Sequence, residues 1–328
     1  MDLPPLLTDL APSATFQLIT FPVAEGWGRL NPSIARANDG FLSVVRSSNV
    51  HIEDGRYVTA SGGFPFRSEN YLAVFDDDLQ LHSIDKLRDE TSNLTKHRSR
   101  FPGYTDLRLF PGPAGWQATA ATHEHNPRDL NQQVLLQVQN NQIREPVLLS
   151  SPEAGHQKNW MPVLGVALPT LVTYCSPTTV VMFDLAREFA ETIAEYLAPP
   201  IAKTFRGGSQ LVPAAEGYVC VIHERLRWPT VHKLYAHRVV HFTTDFHIDA
   251  VSRQFVFQLR GVEFCAGLAL HDGRFVISYG ENDGEAYLAA VAEKELLDLL
   301  HPVGAIETAP LQPSRNWQDR RTIAEQIE

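Results

Sequence analysis

The sequence predicts an all-β fold and, within that class, a five-bladed β-propeller. Three observations carry this expectation. Short runs rich in β-branched and aromatic residues fill the chain. Helical signals are few. The runs recur in similar units, each with a polar or Gly-rich lead-in, a strand, a Gly or Asp turn, and a second strand ending in a polar residue. Repeats of about 40 to 50 residues or more point to propeller blades. Five such units fit 328 residues, and no linker divides the chain. One propeller domain is therefore expected over about residues 15–300, with a tail over 301–328 that adds a short helical extension.

In chain order, the strand runs begin with Phe41–Ser47, Tyr71–Asp76 and Leu79–Ile84. Asp106–Phe110, Trp116–Thr122, Gln133–Gln139 and Pro146–Ser150 follow, then Thr170–Cys175 and Thr179–Leu185. The second half reads Ser209–Pro213, Tyr218–Glu224, Leu234–Phe242, Phe255–Leu259, Gly267–Gly280 (with an internal turn) and Glu285–Val291. Separators such as "NDG", "DDD", "GPAG", "QNNQ" and "AAEG" are turn chemistry. Three units share the repeat order: Leu30–Ser47, Gly207–Glu224 and Glu263–Gly280. Leu185–Leu197 reads as a short helix, and Ala292–Leu300 as a better one. Trp317–Glu328 reads as a further short helix or a partner contact, on a solvated, charged tail.

Composition narrows function. The formal charge of −10 argues against nucleic acid, since no basic patch offsets it. Cys175, Cys220 and Cys265 lie far apart without a CxxC and read as buried thiols in a reducing compartment. The N-terminus lacks a basic signal-peptide start, and no run reaches the ~18 apolar residues of a membrane helix. A soluble cytoplasmic protein is expected, with no membrane contact and with self-association left open. P-loop, GxGxxG, GxSxG and zinc-ligand spacings are all missing, so no metal or organic cofactor is expected.

In a propeller, the polar ends of inner strands meet in one funnel. That geometry nominates Asn31, Arg46, Asn49, Asp106, Arg108, Lys158, Asn159 and Arg206 from the first part of the chain. Ser209, His223, Glu224, His237, Arg238, Glu263, Tyr279 and Asp283 complete the set. The mixture of carboxylates, cations and neutral donors suits a sugar site. Within "TDLRLF", strict alternation puts Thr105, Leu107 and Leu109 on one face and Asp106, Arg108 and Phe110 on the other. Asp106 and Arg108 then stand about 7 Å apart, either as a structural ion pair or as an acid with its partner. His237 and Arg238 alternate, so one of them faces the site. Asp283 in "ENDGEA" fits a hairpin turn and a site residue equally.

The ordered motifs "LNPSIA", "VVRSSN", "GYTDLRLF", "QKNWMP", "GGSQLV…GYVCVIHE", "YAHRVV" and "EFCAGLALHDGRFVISYGENDGEAYLA" together resemble glycoside hydrolase family 130. That family comprises β-mannoside phosphorylases and β-1,2-mannosidases on five-bladed propellers. The resemblance runs from about Asn31 to Leu300. It implies that Asp106 is the catalytic acid, protonating the glycosidic oxygen through the sugar 3-hydroxyl while phosphate attacks the opposite face with inversion. It implies phosphate contacts from Lys158 and His223, and more loosely from Asn49, Arg238 and Tyr279. Arg238 is favoured over His237 by its "Y-x-H-R" context. Sugar contacts are implied for Asn31, Arg46, Asn159 and Asp283, with Arg108 beside the acid and Trp160 offering an apolar ring.

Three departures separate this chain from the family pattern. Thr105 replaces the family's Glu before the Asp. Arg144 is the nearest candidate for a second phosphate arginine between "TDLR" and "KN". Glu224 stands where the phosphorylases carry Gly. The implied ligands are an oligosaccharide or sugar phosphate, with inorganic phosphate as co-substrate. An inverting hydrolase remains open, with Glu224 or Glu263 as base about 6.5–9.5 Å from the acid. So does a non-catalytic sugar-binding or assembly propeller linked to glycan synthesis.

Overall fold

The computed structural model describes residues 3–53, 56–59, 63–113, 115–151, 153–187, 189–228 and 231–303. Five sheets, antiparallel except for one short parallel edge pair in the second, form the blades of a propeller. Blade 1 contains Gly28–Leu30, Phe41–Ser48, Ser68–Phe75 and Leu81–Lys86. Blade 2 contains Tyr104–Gly112, Gly115–Thr122, Gln132–Gln139 and Gln142–Leu148, with Arg88–Asp89 on its outer edge. Blade 3 contains Met161–Pro162, Thr170–Cys175, Thr178–Asp184 and Phe189–Tyr196. Blade 4 contains Val212–Ala214, the long hairpin Gly217–Trp228/Val231–Thr243, Ile248–Val251 and His301–Pro302. Blade 5 contains Glu263–His271, Arg274–Glu281 and Glu285–Ala292 and is completed by the N-terminal strand Thr15–Leu18, which closes the ring.

Each blade lies between two others, so both of its faces must be apolar. The long hairpin shows why its strands read as near-continuous hydrophobic runs. Val219, Val221 and Val239 pack towards blade 5, while the alternating Cys220, Ile222 and Val240 pack towards blade 3. Five such cores lie between successive blades around the ring. The three cysteines are buried free thiols, as the sequence suggests.

The axis is closed by a side chain. Gln210, fully buried, donates to the carbonyls of Ile34 (2.8 Å) and Leu109 (2.7 Å) and accepts from the Leu268 N–H (3.0 Å). One amide thus ties blade 4 to blades 1, 2 and 5. The polar lead-in of this unit therefore serves the core of the ring.

Several expectations need correction. Leu185–Leu197 is not a helix: a 3-10 turn at Leu185–Arg187 leads into strand Phe189–Tyr196, which pairs with Thr178–Asp184. Its Ala and Glu residues favour helix locally, but backbone pairing at the open edge of blade 3 prevails. Ala292–Leu300 does hold a helix, shortened to Glu293–Leu297. Phe255–Leu259 forms isolated bridges rather than a strand, because the N–H groups of Phe257, Gln258 and Leu259 turn onto the Glu263 carboxylate. His301–Pro302, placed in the tail by sequence, extends blade 4. The helix expected at Trp317–Glu328 lies outside the described residues.

Candidate active site

All five blades contribute to one cleft of about 500 Å³. Its floor is built where the first strand of a blade meets the funnel. Asn31, Asp106 and Asn159 stand there in blades 1, 2 and 3, all left-handed, with φ of 46°, 53° and 62°. Asn and Asp tolerate that conformation better than other side-chain-bearing residues. In blade 2 the cause is a β-bulge. Thr105 pairs with Ala121 and Arg108 with Thr119, so two residues oppose one. The bulge re-aims Asp106 and separates it from Arg108.

The Asp106 carboxylate therefore does not pair with the Arg108 guanidinium, contrary to the alternation argument. It accepts hydrogen bonds from Asn31 Nδ2 (2.8 Å) and from Arg46 (3.2 Å), and its side chain keeps 22% exposure. Arg108 lies buried beneath it. It donates to the backbone carbonyls of Asp106 (3.0 Å) and Gly208 (2.6 Å) and to Asn159 Oδ1 (3.4 Å). Arg108 thus clamps the bulge from below and ties blades 2, 3 and 4.

Burial pushes the Asp106 carboxyl up, but Arg46, the Asn31 hydrogen bond, Arg108 and Lys158 outweigh it and hold it below the ordinary range. Asp106 is thereby held as a carboxylate. His223, in the wall on blade 4, is driven well below the usual imidazole value by burial, then by His237, Arg206, Arg108 and Lys158. Its ring is neutral, and Nδ1 is buried without a hydrogen-bond partner among the described residues. Burial likewise lowers His123 and His156 at the cleft edge.

Of the residues nominated from sequence, Asn31, Arg46, Asp106, Lys158, Asn159, Arg206, His223 and Asp283 line the cleft. Asp283 also occupies the hairpin turn between blade 5 strands, with φ 50°, so the turn itself borders the cleft. The others lie elsewhere. Glu224 accepts from the Thr204 hydroxyl, Arg238 Nε (2.7 Å) and Gln254 Nε2 (2.7 Å), which occupies both Glu224 and Arg238 within blade 4. Glu263 is fully buried and holds three backbone N–H groups. Tyr279 stacks on Phe257 at 4.1 Å, and Gln258 donates to its hydroxyl. Trp160 packs on Phe183 in the core between blades 2 and 3.

Asn49 bridges Pro65 and Arg67 backbone. His237 is buried against Phe257, and Ser209 bonds the Val221 N–H. Arg144 sits at the far end of blade 2 beside Trp116 and Asn140, away from the cleft. Sequence reasoning missed Arg100, His123 and His156, as well as the aromatic wall of Tyr57, Phe66, Phe101, Tyr235 and Phe264. A signal existed for His123, since "THEHN" begins at the end of a strand whose Ala121 already faces the funnel.

No family model and no curated protein matches this sequence. The architecture, however, is that of known carbohydrate-active five-bladed propellers. A β-1,2-mannobiose phosphorylase from Listeria innocua, solved with β-1,2-mannobiose, superposes with a TM-score of 0.58 at 12% identity, over 91% of this chain and 99% of that one. A structure described with the family 130 mannoside phosphorylases and their hydrolases for β-1,2-mannosidic linkages in Candida mannan gives 0.58 at 11%, over 89% and 97%. A mannose phosphorylase from Leishmania mexicana, solved with phosphate, gives 0.54 at 10%, over 88% and 90%. The chain shares the fold of these enzymes.

Proposed function

We propose that this protein is an inverting β-mannoside phosphorylase with Asp106 as general acid. One observation carries the reading: the cleft sets a re-aimed, well-held carboxylate among Lys158, Arg206 and a buried neutral His223. The fold shared with two phosphorylases supports it. Asn31 Nδ2 donates to the Asp106 carboxylate and holds it in the cleft. Arg46 and Asp283 offer further polar contacts to the same ring.

In the proposed reaction, protonated Asp106 gives its proton to the mannosyl 3-hydroxyl as that hydroxyl passes its own to the glycosidic oxygen. The C1–O bond breaks, and a phosphate oxygen bonds to C1 from the opposite face. The products are α-mannose 1-phosphate and the released sugar, and Asp106 ends as carboxylate. The acid must first be loaded. Phosphate arriving beside Lys158 offsets the cations that hold Asp106 ionised, so proton uptake accompanies phosphate binding.

The hydrolytic alternative has one favouring observation. Glu224 and Glu263 do not line the cleft, but Asp283 does, and the base role falls to it in that reading. Product stereochemistry and phosphate dependence test the proposal. Proton NMR of fresh product from a β-mannobioside with phosphate should show the α-configured 1-phosphate. A β-configured phosphate, or free mannose with phosphate unconsumed, would refute it.

A further inference from the structure

Four cationic side chains line the cleft, and two are already occupied. Arg46 is bound to Asp106, and Arg100 to Asp129 at 2.9 Å. Among the described residues, the Lys158 and Arg206 side chains have no hydrogen bond or ion pair. Free positive charge is thus concentrated on the side of blades 3 and 4.

Arg206 is fixed there by its backbone. Its N–H donates to the His223 carbonyl (2.9 Å), and the His223 N–H returns a bond to the Arg206 carbonyl (3.1 Å). Residues exchanging both bonds in an antiparallel bridge project their side chains to the same side. Arg206 and His223 are therefore neighbours facing one cleft, and both line it. The next two positions allow no slippage. A Cβ at Gly207 would lie 1.8 Å from the Asn159 carbonyl oxygen, and one at Gly208 would lie 2.1 Å from that of Val221. Among the described residues, the blade 2 segment in which the family resemblance places a second phosphate arginine brings no arginine or lysine to the cleft. Arg144 is at the far end of the blade, and His123 is held neutral by burial.

From this geometry we infer that Arg206 is the second anchor of a tetrahedral oxyanion, inorganic phosphate, bound between its guanidinium and the Lys158 ammonium, beside His223. The inference deepens the phosphorylase reading and rests on it for the identity of the anion. The Arg206 fork meets two phosphate oxygens, and Lys158 meets them as a point charge. Blade 4 thereby takes over a role expected of blade 2.

The test is isothermal titration calorimetry of the full chain with inorganic phosphate, using Arg206→Gln, Arg206→Lys and Arg144→Gln. Arg206→Gln should weaken phosphate binding about 10- to 100-fold, the scale of a lost charge-assisted pair. Arg206→Lys should lose less, and Arg144→Gln should bind as wild type. With a β-mannobioside, KM for phosphate should rise in Arg206→Gln by the same factor, while the melting temperature stays near wild type. Phosphate binding by Arg206→Gln within twofold of wild type overturns the inference, as does a wild type that binds no phosphate at millimolar concentration. Phosphate binding that depends on Arg206, without cleavage of any mannoside, upholds the anion site and refutes the phosphorylase reading.

Discussion

Two arginines stand close to Asp106, and the structure assigns them different work. Arg46 touches the carboxylate at 3.2 Å, whereas Arg108 touches the backbone carbonyl at 3.0 Å. A double-mutant cycle on stability separates them, because it reports only the part of the two single-mutant effects that fails to add. The Arg46–Asp106 side chains keep 14% and 22% exposure, between a solvated surface pair and a buried one. Surface pairs are worth up to about 1 kcal/mol, and breaking a buried pair costs about 3–5 kcal/mol. A coupling of about 1–2 kcal/mol follows for Arg46→Gln with Asp106→Asn.

Arg108→Met alone should cost about 2–4 kcal/mol, since it removes two good charge-assisted bonds and strands buried carbonyls, offset by no longer burying a guanidinium. That cost should be nearly the same with Asn at 106, because Asn keeps the carbonyl. Residual electrostatic attraction limits the Arg108–Asp106 coupling to under about 1 kcal/mol. Urea denaturation of the four proteins in each cycle reads both numbers. An Arg108–Asp106 coupling equal to or larger than that of Arg46–Asp106 would restore the side-chain ion pair and refute the clamp.

Further outcomes follow from the same geometry. Glu263 is raised to about 7 by burial, against three backbone N–H bonds that pull it down, with Glu281 adding to the rise. A carboxyl raised on folding stabilises the protein below its unfolded value and loses that contribution as pH rises through about 7. Stability measured from pH 4.5 to 8 should therefore decline on this account, and Glu263→Gln should flatten the slope. Gln210→Ala strands one N–H and two carbonyls at the axis and should cost at least about 3 kcal/mol in urea unfolding. Gly207→Ala should displace the Asn159 backbone, lowering both melting temperature and sugar affinity in calorimetry.

Much of the fold is legible in the sequence because every blade is covered on both faces. Runs such as Tyr218–Ile222 are apolar throughout, and the turns between strands carry Asn, Asp and Gly at positive φ, as at Asn140, Asn141, Asp272 and Gly273. Phe189–Tyr196 misleads because Ala and Glu carry helical preference while the edge of blade 3 dictates a strand. The site is legible only in part. Asp106 and His223 lie on strands, and Lys158 just before one, that converge on the cleft, so repeat order brings them together. The bulge that parts Asp106 from Arg108 leaves no mark in the alternation. Glu224 and Arg238 look like site residues in isolation, yet they sit on paired strands and satisfy each other. Arg100 and His156 come from loops, which no strand pattern positions.

The central claim is most directly tested by incubating the purified protein with a panel of β-mannobiosides, with and without inorganic phosphate, beside Asp106→Asn. The account predicts mannose 1-phosphate only when phosphate is present, and a rate lowered about 10²- to 10⁴-fold in the variant. Free mannose released without phosphate, or an Asp106→Asn protein as active as wild type, would contradict it.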